Sequence, residues 1–482
     1  MDLRDWLRQV DEQGKLKIIR GAHWDLEIGG ITELMIKKKG SPTLLFDEIV
    51  DHPRGFRVTT NAVTHACEDP SRVAIALGIK QEVKSTKELV YLVKERMPDW
   101  ESQGKQFPPE WVKEGPVLEQ VYRDDEVDML KFPSPRWHEK DGGRYIGTGC
   151  AIITQDPETE QLNIGTYRIA VHDRRKVGIY MAPIRHGLAD MKGYHAKGKP
   201  APVVITLGQH PLYALVGGRP IPRSVGPTQE FGYIGAIQGR RMPVVRGEIT
   251  GLPIPADAEV AVEGFWHPGA EMSEGPFGEF TGYYGGMVEA TPYMVVERLY
   301  HRKEPILLGS PPGKHCSYGT NVFTYAMWLR YLEAIGVVGV TMVAEHPMAS
   351  SQLAAVSIRQ RYAGHAREVG HILAHLAGRE VGRYVIVVDD DIDVTDMEDL
   401  TFAMASRADP AQDIDIVRRA YTQRLDPLVP QGVPREQYFN SRAIIDACIP
   451  FERRANFPEV ACISTGYADK IRQKWGRELD FS

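Results

Sequence analysis

The chain has 482 residues, of which 43% are hydrophobic and 25% are charged, and its formal net charge at pH 7 is −6. This length exceeds what one hydrophobic core supports, so we expect about three domains of ordinary globular composition. The slight acidic excess argues against a nucleic-acid-binding protein, which usually carries a concentrated basic face. The five cysteines are odd in number and include no CxxC pair, which argues against a disulfide framework or a structural zinc site.

The N-terminus carries charged residues where a secretory signal needs an apolar run. The sequence also lacks any run of about 18 apolar residues, so no transmembrane helix is expected. We therefore predict a cytoplasmic protein with no membrane span and no nucleic-acid partner.

The first region, 1–120, is predicted to be an α/β domain. Five segments in it show the periodicity of short helices and strands: helices over 2–13, 72–77 and 84–96, and strands over 42–50 and 56–60. The stretch 97–116 is rich in proline, glycine and charge, which predicts a linker.

The second region, 121–315, is predicted to be mostly sheet. Its β-rich runs lie at 146–154, 162–170, 177–181, 202–207, 242–249, 258–265 and 293–300, with one helix over 188–195. A turn over 155–160 joins the first two of these strands.

The third region, 316–482, alternates helices with β-branched runs, which indicates an α/β layer with a parallel sheet. The predicted elements are helices over 321–334, 350–377 and 467–482, and strands over 337–344 and 384–388. The terminal helix carries Ile471 and Trp475 on one side, where a partner subunit could pack. The segment 426–437 is proline-rich and irregular.

Three polar residues of the second region suit one hard divalent cation. Asn163, His186 and Glu230 offer an amide, an imidazole and a carboxylate, a set compatible with Mg²⁺ and, because of the imidazole, with Mn²⁺. They are scattered along the chain, so spacing alone does not group them. Taken singly, each is more often a turn residue, a helix-start residue or a solvated carboxylate.

An arginine and two glutamates are candidates for acid–base chemistry. Arg168 lies five residues after Asn163, so in one strand the two side chains take opposite faces unless the chain turns at Gly165. Glu274 and Glu279 flank Gly-Pro-Phe-Gly, which excludes a regular helix or central strand and permits a tight loop. Two close carboxylates raise one pKa and create a proton donor, and an arginine between them holds the other ionised. A surface arginine and an acidic surface loop are the alternatives.

Other motifs are weaker. His371 and His375 are four residues apart on a predicted helix but lack the glutamate of HExxH, so a structural pair is favoured over zinc ligands. Asp389, Asp391 and Asp393 resemble the start of a calcium loop, but the later glycine and glutamate of an EF-hand are missing. Neither a dinucleotide-binding GxGxxG nor a P-loop occurs, so any cofactor with a phosphate would bind in another way.

Five segments resemble the UbiD family of decarboxylases, which depend on prenylated FMN. They are NIGTYR (163–168), APIRHG (182–187), the loop ending at Glu230, EGPFGEFTGYYG (274–285) and VIVVDDDIDV (385–394). The resemblance covers nearly the whole chain, and NIGTYR followed by EGPFGE is its most specific part.

The resemblance implies a mixed α+β fold with an N-terminal α/β domain (1–120), a central flavin-reductase-like split β-barrel (121–315) and a C-terminal α/β domain (316–482). It also implies a homodimer or a higher homo-oligomer such as a hexamer. A separate flavin prenyltransferase would supply the cofactor.

Matched residue by residue, the resemblance implies that Asn163, His186 and Glu230 bind Mn²⁺ (or Mg²⁺), which bridges to the cofactor phosphate near a K⁺ ion. The residues implied to contact prenylated FMN are Asn163, Ile164, Gly165, Thr166, Tyr167, Arg168, Arg185, His186, Glu230 and Arg383. The implied catalytic trio is Arg168, which holds the substrate carboxylate, Glu274, which fixes Arg168, and Glu279, which donates the proton that replaces CO₂.

The substrate class is argued from Lys314 and His315. These are polar where a cinnamate pocket would be aliphatic, so we expect an aromatic or heteroaromatic carboxylic acid, converted reversibly to its decarboxylated product and CO₂. An α,β-unsaturated acid and 4-hydroxy-3-polyprenylbenzoate remain alternatives. Two further alternatives are a non-catalytic flavin-binding subunit of a multi-subunit carboxylase and a metal-dependent hydrolase with Glu279 as base.

Overall fold

The structure is a computed structural model, and it describes residues 1–38, 40–63, 69–181, 185–218, 229–314, 321–345, 352–377, 382–430, 432–476 and 478–479. Over these residues the chain is a mixed α+β protein with sheets of four, nine, three, two and five strands. The expected fold class is confirmed. Within the same residues no helix is both long and apolar enough to cross a membrane.

The N-terminal elements surround a small sheet. They are α1 (Leu3–Glu12), β1 (Leu16–Arg20), α2 (Glu27–Ile36), β2 (Thr43–Asp47), β3 (Arg57–Thr60), α3 (Ser71–Ala76) and α4 (Thr86–Gln103). Helix α1 forms as predicted: Asp2 caps it, accepting the backbone N–H of Asp5 at 2.8 Å, and one face is buried. The sequence did not predict α2.

The prediction of a linker over 97–116 is wrong in its first residues, because helix α4 continues through Pro98 to Gln103. Pro98 removes one helical hydrogen bond. The helix persists because Met97 and Trp100 are buried beyond it, and the Trp100 ring packs edge-on against Tyr233 at 6.1 Å. Burial of these large side chains offsets the lost bond.

The central region supplies most of the strands. In chain order they are β4 (Glu110–Trp111), β5 (Gln120–Arg123), β6 (Arg144–Gly147), β7 (Ala151–Gln155), β8 (Leu162–Gly165), β9 (Arg168–Val171), β10 (Lys176–Tyr180), β11 (Ala201–Leu207), β12 (Pro243–Arg246), β13 (Pro253–Pro255), β14 (Val260–Glu274), β15 (Phe277–Gly278), β16 (Tyr284–Gly285), β17 (Val288–His301) and β18 (Ile306–Leu308). The helices among them are α5 (His186–Ala196), α6 (Pro211–Gly217) and α7 (Gln229–Gln238).

The nine-stranded sheet is curled. Its order is β6-β9-β10-β17-β14-β11-β7-β8, with β5 beside β17. Strands β8 and β9 stand six positions apart, which would separate them by about 29 Å in a flat sheet. Only two residues connect them, and that connection spans about 10 Å at most. The sheet therefore bends into an antiparallel half-barrel that brings its two ends together.

Two segments that were predicted as single strands are each divided into two strands in this curled sheet. The segment 146–154 divides into β6 and β7, and 162–170 divides into β8 and β9. In both cases the break lies where the chain crosses from one end of the sheet to the other. Two further corrections are α6 and α7, which were not predicted. Glu230 consequently lies in the first turn of a helix.

The C-terminal region forms a separate layer. Its elements are α8 (Asn321–Ala334), β19 (Val340–Glu345), β20 (Leu353–Ile358), α9 (His365–Ala377), β21 (Tyr384–Asp389), α10 (Met397–Arg407), β22 (Ile414–Tyr421), β23 (Phe439–Asp446) and α11 (Thr465–Trp475). The sheet order is β19-β20-β21-β23-β22. The middle three strands are parallel, as predicted, and both edge pairs are antiparallel.

The predicted helix over 350–377 is wrong in its first half, where β20 lies between β19 and β21. Ala354 and Ala355 favour a helix by propensity, but β20 is buried from its second residue onward. Burial inside the sheet overrides that propensity. The weaker motifs take part in side-chain pairs: His371 lies 3.2 Å from Asp415, and Arg407 pairs with Asp391 at 2.6 Å.

Candidate active site

Arg168 lies between two glutamates in a buried ion cluster. Its side chain is 8% exposed and makes a bond of 2.7 Å from Nη2 to Oε2 of Glu274. Nε donates to the same oxygen at 3.2 Å, and Nη1 donates to Oε1 of Glu279. The structure thus brings together the three residues predicted as a catalytic trio, and three of the five guanidinium N–H donors are used.

The three residues of the ion cluster come from distant parts of the chain and lie together because of the strand arrangement. Arg168 begins β9 and Glu274 ends β14, while Glu279 follows β15 in a tight hairpin. In that hairpin β15 pairs with β16, and the backbone N–H of Glu279 donates to the carbonyl of Tyr283 at 2.9 Å. The turn anticipated near Gly165 is the crossing from β8 to β9.

Aromatic rings enclose the arginine. Its Cζ lies 4.3 Å from the ring centroid of Tyr180 and 5.1 Å from that of Phe277. The Tyr145 ring packs on Phe277 with centroids 3.9 Å apart. These surroundings keep water from most of the cluster and leave a flat, aromatic-lined environment beside the guanidinium.

Burial sets the protonation of Glu279. It raises the pKa of this carboxyl from 4.5 to about 7, although Arg168 acts in the opposite direction, and the charge of Glu274 adds to the increase. Burial, followed by the charge of Glu274, also holds the pKa of the Tyr145 hydroxyl well above its ordinary range. One arginine cannot neutralise two carboxylates, so the cluster holds a proton on Glu279 near neutral pH.

A second cluster surrounds strand β8. Asn163 Nδ2 donates to the Thr154 hydroxyl at 3.0 Å, and that hydroxyl donates to Asp190 of α5 at 2.5 Å. The backbone N–H of Ile164 donates to Glu230 Oε2 at 3.1 Å. Glu230, in the first turn of α7, thus bonds the β8 backbone directly, whereas Asp190, in the second turn of α5, reaches Asn163 through Thr154 of β7.

Tyr167, in the segment after β8, packs its ring directly against Gly165. The Tyr167 hydroxyl accepts the N–H of Gly187 at 3.4 Å, at the start of α5. A Cβ at Gly165 would lie 2.3 Å from the Tyr167 ring, so only glycine fits beneath that ring. The Thr166 hydroxyl donates to the carbonyl of Cys150 at 3.1 Å.

The residues around β8 carry groups of the kinds that a hard cation and a phosphate prefer. Glu230 is only 3% exposed, and burial raises its pKa to about 7, a cost that a bound cation would remove. Asn163 and His186, the first residue of α5, add an amide oxygen and an imidazole. The N-termini of α5 and α7 add the backbone N–H groups that favour phosphate.

The remaining predicted residues are more dispersed. Arg185 is exposed at the N-cap of α5. Arg383 precedes β21 and pairs with Asp426, and it also donates to Gln352 at 3.1 Å, so its contact with a phosphate stays a prediction. Lys314 is exposed, while His315 lies outside the described residues.

Three neighbours of the ion cluster escaped the sequence analysis. Tyr180 had no motif to mark it. Arg424 lies in an irregular segment, which gave no sign of a role. Burial raises the pKa values of Tyr180 and Glu279, and the positive charge of Arg424 lowers both. The third neighbour is the segment 137–142, and the Asp-Gly-Gly run over 141–143, which begins at its end, was the available signal.

Comparison with known proteins agrees along nearly the whole chain. Three domains of 3-octaprenyl-4-hydroxybenzoate carboxy-lyase match: the N-terminal domain over 7–93, the Rift-related domain over 110–315 and the C-terminal domain over 321–447. An uncharacterized protein of Aquifex aeolicus (strain VF5) is 29% identical over 495 residues, covering 99% of this chain and 98% of that protein.

Solved structures share the fold. The UbiD-class enzyme HmfF from Pelotomaculum thermopropionicum, in complex with FMN, has a TM-score of 0.83 at 26% identity, covering 99% of this chain and 100% of HmfF. An evolved dimeric form of HmfF in complex with prFMN has a TM-score of 0.79 at 25% identity, over 99% and 100%. Vanillic acid decarboxylase from Sedimentibacter hydroxybenzoicus, in open form, has a TM-score of 0.82 at 26% identity, over 99% of both chains. With matches to all three of its domain models, the chain belongs to the UbiD family of carboxy-lyases.

Proposed function

We propose that this chain is a prenylated-FMN-dependent decarboxylase that removes CO₂ reversibly from an aromatic or heteroaromatic carboxylic acid. The observation that carries the proposal is the buried Arg168, bonded to both Glu274 and Glu279, with the pKa of Glu279 near neutrality. HmfF, a family member of the same fold, is described in complexes with FMN and with prFMN, which supports a flavin cofactor here.

Arg168 has the chemistry to bind the substrate carboxylate. Within the part of the chain that the structure describes, two of its N–H donors remain beyond the three bonds to Glu274 and Glu279, and a guanidinium matches a carboxylate with two parallel hydrogen bonds. Glu274 contacts two donors of Arg168 and thereby fixes the plane of the guanidinium. The rings of Tyr180 and Phe277 offer faces against which a flat substrate can lie.

Glu279 has the chemistry to supply the proton. When the C–C bond to CO₂ breaks, its electron pair stays on the substrate carbon, and that carbon must gain one proton. The prenylated flavin supplies the electron sink for this pair when bound. Glu279 donates the proton to the carbon that carried the carboxylate and regains one from solvent. In the reverse direction the same carboxylate accepts the proton.

The cofactor phosphate would be held at β8. Asn163, His186 and Glu230 would hold a Mn²⁺ (or Mg²⁺) ion, whose charge would offset that of the phosphate, and K⁺ would be a second ion of the site. The backbone of 164–167 and the side chains of Arg168 and Arg185 would line the flavin. Arg383 is the least supported of the predicted contacts, because Asp426 already neutralises it.

Metal binding is expected to depend on Glu230 and on pH. Because the pKa of Glu230 is about 7, a proton competes with the metal below that pH, and the apparent Mn²⁺ affinity should fall about tenfold per pH unit. Glu230→Gln should lose most of the affinity, whereas Glu110→Gln, at an exposed glutamate, should not. Free Mn²⁺, measured by electron paramagnetic resonance with FMN present, tests this. Equal affinity in wild type and Glu230→Gln would remove Glu230 from the metal site.

The pH dependence of decarboxylation is expected to follow Glu279. The proton donor must be protonated, so kcat should be constant at low pH and fall tenfold per unit above about pH 7. In the carboxylation direction the dependence should reverse, because Glu279 must then be ionised. Steady-state rates from pH 5 to 9 in both directions test the assignment. A decarboxylation rate that rises through pH 7 would contradict it.

The substrate assignment rests on the walls of the cluster. Tyr145, Tyr180 and Phe277 favour an aromatic ring, and Arg424 adds a positive field that suits a hydroxylated or otherwise polar ring. The Sedimentibacter relative is named for vanillic acid, an aromatic acid of this kind. An acrylic acid and 4-hydroxy-3-polyprenylbenzoate are the competing substrates within the same chemistry.

The decisive test combines spectroscopy and CO₂ release. Protein co-expressed with a flavin prenyltransferase should show a flavin-type absorption band and release CO₂ from some members of a panel of aromatic, heteroaromatic and acrylic acids. Protein loaded with FMN alone should not. Flavin binding without CO₂ release would favour a binding subunit, and activity in colourless protein would favour a metal-dependent hydrolase.

We further propose a cytoplasmic homodimer or higher homo-oligomer. Helix α11 exposes Tyr467 (55%) and Trp475 (37%), which a second subunit would cover. Light scattering of the purified protein tests the oligomeric state.

A further inference from the structure

A short segment outside the predicted site lies against the hairpin that carries Glu279. We call residues 137–142 the hairpin clamp. The backbone N–H of Gly142 donates to the carbonyl of Pro276 at 2.9 Å, and that of Lys140 donates to the Tyr284 hydroxyl at 3.2 Å. Pro276 lies between the two glutamates in sequence, and Tyr284 lies on the returning strand β16. The clamp therefore contacts both arms of the hairpin.

Gly142 makes the closest approach. A Cβ at this position would lie 1.9 Å from the carbonyl oxygen of Gly275 and 2.5 Å from its carbon. Gly275 directly follows Glu274, so any side chain at Gly142 would displace the backbone beside that glutamate. A Cβ on the next residue, Gly143, would have no heavy atom of the described residues within 4 Å. Neither glycine adopts a positive φ, so the two positions differ in contact and not in backbone strain.

Asp141 holds the clamp in shape. It is 6% exposed, and its Oδ2 accepts the backbone N–H groups of Trp137 at 3.2 Å and His138 at 3.0 Å. The ring of His138 packs edge-on against Tyr284 with centroids 6.2 Å apart. A Cβ at Gly278, the residue before Glu279, would lie 3.3 Å from Nδ1 of His138, so the clamp also lies against the backbone beside that glutamate. Asp141 thus closes the turn that presents Gly142 to the hairpin.

The clamp fixes both ends of the segment between the glutamates. Its contacts fall at Gly275 and Gly278, each adjacent in sequence to one catalytic carboxylate. Strand pairing with β17 holds the backbone of Glu274, and the hairpin bond to Tyr283 holds that of Glu279. Between them, the glycines at both flanks leave the backbone more freedom than other residues would. The clamp adds a support from outside the hairpin, at the backbone beside each glutamate.

We propose that Asp141 and Gly142 are positioning residues that hold Glu274 and Glu279 around Arg168 by clamping the backbone between them. This inference rests on the proposed function for its kinetic consequences. The position of the hairpin itself can be tested without activity.

The test compares two adjacent glycines in the full-length protein loaded with prenylated FMN. Gly142→Ala should lower kcat by about 100-fold, because a displacement of about 1 Å costs that much, with little change in KM. Gly143→Ala should stay within about twofold of wild type, because its Cβ meets open space. In Gly142→Ala, the pH above which kcat falls should also increase. Arg168 lowers the pKa of Glu279, so separating the two side chains raises that pKa.

Asp141 supplies the second test. Asp141→Ala should lower kcat to a similar extent, and Asp141→Asn should recover activity to within about tenfold of wild type, because the amide oxygen can still accept both N–H groups. Hydrogen exchange of 274–285 in cofactor-free protein gives a readout independent of turnover. It should accelerate at least tenfold in Gly142→Ala and Asp141→Ala and remain unchanged in Gly143→Ala.

The outcomes separate this inference from the proposed function. Wild-type exchange in Gly142→Ala, or a kcat equal to that of Gly143→Ala, would overturn the clamp. Absence of CO₂ release from wild-type protein with every acid would defeat the proposed function, yet faster exchange confined to 274–285 would still support the clamp. Circular dichroism and thermal melting of each variant check that it folds. If Gly142→Ala fails to fold, Asp141→Asn and Asp141→Ala decide the question.

Discussion

Glu279→Gln is expected to lose decarboxylation by about 10³-fold or more while keeping its fold and its flavin. A positioned general acid contributes about 10² to 10⁴ in rate, and the N–H protons of the amide that replaces the acid are too weakly acidic to be transferred. The change is nearly isosteric, so the hydrogen bond with Arg168 can be kept through the amide oxygen. CO₂ release under saturating substrate measures the effect.

The matched control is Glu271→Gln, at an exposed glutamate on the same strand as Glu274. It should retain wild-type turnover. If Glu279→Gln turned over at the rate of Glu271→Gln, Glu279 would not be the proton donor, and another acid beside the substrate would have to be sought.

Arg168→Met should have the second large effect, on both activity and stability. It removes the only cation in direct contact with Glu274 and Glu279 among the described residues. Removing one partner from a buried ion pair costs about 3–5 kcal/mol, because the other charge is left without compensation. Turnover should vanish, since the substrate carboxylate loses its binding group.

The stability loss should depend on pH. With Arg168 absent, the pKa of Glu279 in the folded protein rises further. In the unfolded chain Glu279 loses its proton above about pH 4.5, so at higher pH unfolding is accompanied by proton release, which favours the unfolded state. The deficit should therefore be larger at pH 8 than at pH 5 in urea unfolding experiments. Arg174→Met, at an exposed arginine, should change neither stability nor turnover. A pH-independent deficit would mean that the lost packing, and not the charge, dominates.

The site could be predicted as a set of residues but not as an arrangement. The motifs around Arg168 and Glu274 singled out the cluster, yet spacing within one strand pointed Asn163 and Arg168 to opposite faces. The structure resolves this by placing them on strands at the two ends of a curled sheet. Such curling depends on pairing between distant strands, which local periodicity does not record.

Misjudged elements share a physical cause. Residues 350–358 favour a helix locally, and Pro98 favours a helix end, but tertiary burial decided both cases differently. Glu230 was weighed as a loop carboxylate because nothing nearby in sequence shows that α7 is buried on β8. Gly142 was missed for the same reason, since its importance lies in contact with Gly275, far along the chain.

The most direct test of the central claim is the isotopic composition of the product formed in D₂O. Protein loaded with prenylated FMN should convert its aromatic acid to a product with one deuteron at the carbon that carried the carboxylate, and Glu279→Gln should yield almost no labelled product. Mass spectrometry of the product reads this directly. Labelled product formed equally well by Glu279→Gln, or by protein carrying only FMN, would contradict the account.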